Sequence, residues 1–320
     1  MQPKRVVLWL FFGLAAFLVV SELQLTGKIS TRHSQKLLVH PASVGHPQNG
    51  VWTLPRRVPN DHLEEYVEPN PQLDELLAKV SAPYEDDKPG KASIMVTVVD
   101  AMGSEALLPT FLESLQRLPG RLDQRKKRAK AARNARLTDP AFLQIGWDRV
   151  ALLHAIVQRG HSVLFVDADL VWLKDPFPAL EASRSDIQLS VDGYDARQEP
   201  PSKRPNVGLM FVRPTPQAAA FLAAWLGLRY GLQAREQFEF PNAWAATAKT
   251  HPDLRIKYLD TDRFPNGCCC GTKVEIREER WDPHNVPPDV RSRWVMWHAA
   301  CVPTILRKQH YLSNLLDAVP

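Results

Sequence analysis

The 320-residue sequence is sparing in the features that mark several protein classes. It holds four cysteines, Cys268, Cys269, Cys270 and Cys301, and none before position 268. Three are consecutive, and adjacent side chains diverge, so the three do not readily ligate one zinc ion. In an oxidising compartment one of the three can pair with Cys301; buried thiols are the alternative. No Asn-x-Ser/Thr acceptor occurs, so N-glycosylation lends no support to a lumenal location. The charge excess is small, +5 from 40 Lys/Arg and 35 Asp/Glu. It suits an anionic substrate or a membrane surface and makes no case for nucleic acid.

Apolar content is ordinary for a globular protein, and the length allows one large domain plus extras. One long apolar run, VVLWLFFGLAAFLVV at 6–20, follows Lys4 and Arg5. With Ser21 it approaches the roughly 17–25 residues of a spanning helix. Positive charge precedes the run, which predicts a cytosolic tail over 1–5, a type II signal anchor over 6–21 and a lumenal remainder. No small-x-small cleavage site follows Val20 directly, which favours the anchor over a cleaved signal peptide. Residues 22–90 are polar and carry eight prolines, with room for a short helix near Leu73–Val80. That composition predicts a stem or linker.

Residues 91–315 read as the functional domain. Ser93–Val99 is a predicted strand and Glu105–Leu118 a predicted helix, a β-loop-α start suited to a nucleotide-binding α/β domain. Asp148 is placed to cap a helix over Arg149–Arg159 that ends at Gly160. Strands follow at Ser185–Val191 and Val207–Val212, and Thr215-Pro216 starts another helix. Alternating strands and helices predict a mostly parallel sheet. Its site lies beyond the carboxyl ends of the strands.

Val163–Pro176, VLFVDADLVWLKDP, is the most informative stretch. Val163–Val166 is a short buried strand that ends in two carboxylates spaced i, i+2. Alternation along a strand points Asp167 and Asp169 the same way. Two carboxylates at one strand end can hold a hard divalent cation, and a cation there can neutralise a leaving diphosphate. A bare Asp-x-Asp is a weak signal; the longer form with Trp172 and Asp175-Pro176 is specific.

That form resembles the Asp-x-Asp segment of retaining, metal-dependent nucleotide-diphospho-sugar transferases, closest to glycosyltransferase family 77. Further segments match in the family's order: Asp186–Asp192, Asn206–Arg213, Glu236-Gln237, Phe264-Pro265-Asn266-Gly267, and Val295–Ala299 leading to Lys308. The resemblance runs from about 143 to 310 and implies a GT-A-like α/β fold. It implies Mn²⁺ or Mg²⁺ held by Asp167, Asp169 and His298. It also implies donor contacts from Asp100, Arg149, Asp167, Asn206, Gly208 and Lys308. Asp192, Glu236 and Gln237 become the catalytic candidates. Mixed carboxylate and imidazole ligation favours manganese over calcium. The implied donor is a uridine diphosphate sugar (arabinose, xylose or galactose) and the implied acceptor a glycan or glycoprotein. The anchor adds a single-pass type II Golgi membrane location with the domain in the lumen.

Three departures stand out. Ala300 replaces a family Asn, and Thr304 a family Gly whose backbone would approach the diphosphate. Between the first strand and Asp148 the family has further apolar strands. Here 119–138 is a basic insertion or loop with eight Lys/Arg at 120–136, so the sheet is expected to be short. Asp167-Ala168-Asp169-Leu170-Val171 also satisfies the D-x-D-x-T/V pattern of haloacid dehalogenase-type phosphatases, but no G-D-x-x-x-D partner motif is present. A non-catalytic anchored relative is the other alternative.

Overall fold

The structure is a computed structural model. It describes residues 5–11, 71, 73–75, 77, 93–99, 106–118, 140–195, 202–229, 235–268 and 286–318. In chain order the elements are β1 (Arg5–Phe11), β2 (Ser93–Val99), α1 (Leu108–Arg117), α2 (Pro140–Gln158), β3 (Val163–Asp167) and β4 (Leu170–Trp172). Then come α3 (Phe177–Glu181), β5 (Ile187–Asp195), β6 (Ser202–Val212), α4 (Pro216–Leu226), α5 (Glu236–Ala248) and β7 (Ile256–Tyr258). The chain closes with α6 (Pro288–Arg291), β8 (Met296–His298) and α7 (Ile305–Asp317).

Six strands form one sheet in the order β1-β2-β3-β6-β5-β7, and β4 pairs with β8 in a second, two-stranded sheet. β3 lies inside the large sheet and is apolar on both faces. Val163 and Phe165 enter one core with Trp147, Ile156, Phe221 and Trp225. Leu164 and Val166 enter another with Phe111, Trp172 and Phe177. A strand buried on both sides needs the unbroken apolar run seen in the sequence.

Five of the six strands run the same way, as the expectation of a mostly parallel sheet has it, and one strand is reversed. β1, β2 and β3 run parallel, and β7 runs parallel to β5. β6 is antiparallel to both of its neighbours, β3 and β5. Only positions 196–201 separate β5 from β6. A parallel crossover needs about a dozen residues or more, so so short a link forces an antiparallel return.

Three expectations change. Arg5–Phe11, the start of the run read as a membrane helix, is a strand in register with β2 from Arg5↔Ser93 to Phe11↔Val99. Residues 12–21 lie outside the described residues. Among the described residues no helix is long and apolar enough to cross a membrane. A Val-, Trp- and Phe-rich run suits a strand as well as a helix, and periodicity does not separate the two. Second, α2 begins at Pro140, so Asp148 sits inside it and caps nothing at its start. Third, within the segment read as stem, Leu77 is buried in the core, Leu73 packs against it, and Asp74 pairs with Arg159. The basic 119–138 segment lies outside the described residues.

Other readings hold. Thr215 Oγ1 accepts the Ala218 amide and caps α4. Gly160, with φ 79, ends α2 in the left-handed region.

Candidate functional site

Residues before and after β3 make the site. The chain leaves the large sheet at Asp167, bends through Ala168-Asp169, and enters the small sheet at Leu170, whose cross-strand partner is His298. The Ala299 amide donates to the Asp169 carbonyl at 2.8 Å. Strand pairing therefore brings together carboxylate and imidazole groups 129 residues apart in sequence. The two aspartates converge through this bend, not through alternation along one strand, because β3 has already ended at Asp167.

His298 Nε2 lies 3.0 Å from Asp169 Oδ1 and 3.9 Å from Asp167 Oδ2. Each of the three residues offers one ligand atom, and these atoms lie within 4.8 Å of one another. Two carboxylates and an imidazole suit a divalent ion at that spacing. Lys308 reaches in from the first turn of α7 and donates to Asp169 Oδ2. The helix carrying it is capped by Thr304, whose Oγ1 accepts the Arg307 amide. That cap gives the unexpected Thr304 a physical reason.

Charge is concentrated here. Burial would raise the Asp169 pKa, yet the Lys308 and His298 charges hold it well below the usual carboxylate range. Burial alone would lower His298 and Lys308; the Asp169 charge and hydrogen bonds overcome it and raise both. Asp167 is pushed up by desolvation and by Asp169, against the pull of Arg149. Its side chain keeps 38% exposure, and that opening to solvent limits the push.

A second cluster adjoins the first. Arg149, on α2, lies over the Phe165 ring at 4.6 Å and reaches Asp167 Oδ1 at 3.4 Å. Its other nitrogen donates to the buried Glu236 carboxylate at the start of α5. Trp225 Nε1 donates to the Glu236 carbonyl at 2.8 Å and fixes that start. Asp192 accepts from Asn206 Nδ2 through one oxygen, and from Gln237 Nε2 at 2.8 Å through the other. Asn206 Oδ1 accepts the Gly208 amide at 2.8 Å.

Gly208 joins the two clusters. A Cβ at this position would sit 2.3 Å from Asp167 Oδ2, 2.8 Å from His298 Cε1 and 2.9 Å from Asn206 Oδ1. The structure thus gathers Arg149, Asp167, Asp169, Asp192, Asn206, Gly208, Glu236, Gln237, His298 and Lys308 in one contact network. Asp100 lies outside the described residues.

Two positions escaped the sequence reading as site components. Gly146 sits inside α2, where a Cβ would lie 2.1 Å from Glu236 Oε2. An isolated glycine in a helical pattern was the available signal. Asn266 was read only as part of a turn; its contacts are long-range, and no local pattern announces them. Trp172 and Asp175, which made the motif specific, are structural. Trp172 is buried, and Asp175 Oδ1 accepts the Phe177 amide at the start of α3.

Known proteins resemble this chain in a consistent way. A model of the family described as "Nucleotide-diphospho-sugar transferase" matches residues 105–312, more than half of the chain. "Arabinosyltransferase XEG113" of Arabidopsis thaliana is 29% identical over 96 residues, 27% of this chain and 15% of that protein. "UDP-D-xylose:L-fucose alpha-1,3-D-xylosyltransferase MGP4" of the same plant is 27% identical over 125 residues, 35% of each. The chain spans about a third or less of the length of these curated relatives. A solved structure, a glycosyltransferase involved in the glycosylation of the major capsid of PBCV-1, is similar at 13% identity and a TM-score of 0.38. That match covers 68% of this chain and 98% of that one. The chain belongs to the nucleotide-diphospho-sugar transferase family.

Proposed function

We propose that this protein is a metal-dependent, retaining glycosyltransferase of the family 77 type. It moves arabinose, xylose or galactose from a uridine diphosphate donor to a glycan or glycoprotein. The observation that carries the reading is the Asp167, Asp169, His298 and Lys308 cluster at the junction of the two sheets. Mn²⁺, or Mg²⁺, held by the two aspartates and His298 would supply Lewis-acid neutralisation of the diphosphate as it leaves.

The protein's own groups do the rest. Lys308 has a flexible stem, so its ammonium can turn from Asp169 to a diphosphate oxygen and neutralise it as a point charge. Arg149 faces Asp167 and supplies a second fixed cation beside the donor. Glu236 is buried against Arg149, so we assign it to orienting that guanidinium and not to the acceptor. Asp192 has each carboxylate oxygen hydrogen-bonded, by Asn206 and by Gln237. Held rigidly in that way, it is placed to stabilise positive charge that develops on the transferred sugar. Asp100 completes the proposed donor contacts.

We place the reaction in the Golgi lumen. Support comes from the disulfide between Cys268 and Cys301, a bond that persists in oxidising compartments. Family membership leaves the phosphatase alternative without support, and Asp169 tied to Lys308 does not suit a general acid.

The test is a donor screen with the full chain. Release of uridine diphosphate from UDP-arabinose, UDP-xylose and UDP-galactose is followed with Mn²⁺, with and without glycan acceptors. Acceptor-stimulated release from one donor, abolished by a chelator, is expected. A folded chain that releases none would favour the non-catalytic alternative.

A further inference from the structure

We propose that Asn266 is a positioning residue that sets the distance between the two halves of the site. It deepens the reading above and rests on it. Asn266 is fully buried, yet its side chain is polar. Its Nδ2 donates to Ser190 Oγ at 3.2 Å and to the Val191 carbonyl at 2.7 Å. Its Oδ1 accepts the Cys268 amide at 2.8 Å. A buried amide with both ends bonded fixes its neighbours in one arrangement.

The neighbours are what matter. Ser190 and Val191 immediately precede Asp192, and Ser190 pairs across the sheet with Asn206. At this point the β5–β6 ladder is irregular, with register shifts on both sides of Ser190-Val191. Pro205, opposite Val191, has no N–H to offer, and the Val191 carbonyl takes its hydrogen bond from Asn266. Bulges of this kind re-aim side chains beside active sites.

On its other side Asn266 bridges His298 in parallel register. The flanking amides close the contact: Gly267 N donates to His298 O at 3.0 Å, and His298 N to Pro265 O at 3.2 Å. The disulfide from Cys268 to Cys301 staples the same two segments just beyond. Asn266 thus links two strands, that of Asp192 through its side chain and that of His298 through its backbone turn. A transferred sugar has to reach from the cation to Asp192, and a misplacement of about 1 Å can cost roughly 100-fold in rate.

Mn²⁺ binding to the full chain tests this, read by loss of the free-ion paramagnetic resonance signal. Asn266→Ala is expected to weaken Mn²⁺ about 10–100-fold, because the turn whose backbone holds His298 loses its anchor on Ser190 and Val191 and the ligand loses that indirect support. Ser190→Ala, which removes one acceptor, is expected to weaken it less. Ile156→Ala, seven residues along α2 from Arg149, is the control for lost stability. It should lower the melting temperature and leave Mn²⁺ affinity unchanged. Wild-type affinity in both Asn266→Ala and Ser190→Ala would overturn the proposal, as would an equal loss in Ile156→Ala. Should Asn266→Ala not fold, unchanged affinity in Ser190→Ala overturns it alone. A wild-type chain that binds no Mn²⁺ overturns the metal-dependent reading as a whole, which separates that failure from this one.

Discussion

Gly208 carries no side chain, and its position has no room for one. A methyl group there would lie 2.3 Å from Asp167 Oδ2 and 2.8 Å from the His298 ring. Gly208→Ala is expected to displace both groups and weaken Mn²⁺ binding about 10–100-fold, with the circular dichroism of the fold retained; calorimetric titration checks it. Glu236 makes a different prediction. Its carboxylate and the Arg149 guanidinium are both buried, and removing one partner leaves the other charge uncompensated. Glu236→Ala should cost roughly 3 kcal/mol in urea unfolding. Asp167, 3.4 Å from Arg149, leaves that cation partly compensated and keeps the loss at the low end of the about 3–5 kcal/mol expected for a broken buried pair. At this scale the sequence told much. The two aspartates, Asn206, Gln237, His298 and Lys308 were legible because each sits in a motif of several residues. Gly146 and Asn266 were not, because what makes them matter is a neighbour 90 and 32 residues away, Glu236 and His298.

At the scale of elements, β3 and α4 were legible from an unbroken apolar run and a Thr-Pro start. The start of α2 was passed over although Asp139-Pro140 is a helix-start pattern, because Gly146 weakens the helical pattern that follows. The apolar run at the amino end is legible in two ways for a related reason. Length and hydropathy do not distinguish a strand from half of a membrane helix, and the β1–β2 register settles it for Arg5–Phe11. α2 also carries a titration. His154 is buried, and burial lowers its pKa from the ordinary 6.5. On acidification the unfolded chain therefore takes up this proton first, and stability falls as the pH drops through 6.5 toward the lower folded value. Relative to His154→Gln, the wild type should lose stability between about pH 7 and pH 5. Parallel stability curves for the two would contradict that. The disulfide makes the last prediction here. It closes a span of 33 residues, and its removal by Cys301→Ser should cost roughly 3–4 kcal/mol on a chain-entropy estimate, read as a lower melting temperature.

Across the whole molecule, the site forms where the large sheet hands the chain to the small one. Asp167 ends a strand of the first, His298 ends a strand of the second, and Asp169 lies in the bend between the sheets. The class of fold was legible in alternating strand and helix signals. The antiparallel β6 was not read: the strands expected at Ser185–Val191 and Val207–Val212 leave fifteen positions between them, room for a crossover, and only the longer β5 and β6 of the structure cut that to six. The basic 119–138 segment, where the resemblance fails, lies outside the described residues. The central claim is that this junction binds a nucleoside diphosphate through a divalent cation. Calorimetric titration of uridine diphosphate into the full chain tests it most directly, with and without Mn²⁺, in wild type and in Asp169→Ala. Binding that needs Mn²⁺ in the wild type and is lost in Asp169→Ala is the expected result. A folded wild type that binds no uridine diphosphate in Mn²⁺, or an Asp169→Ala chain that binds it as the wild type does, would contradict it.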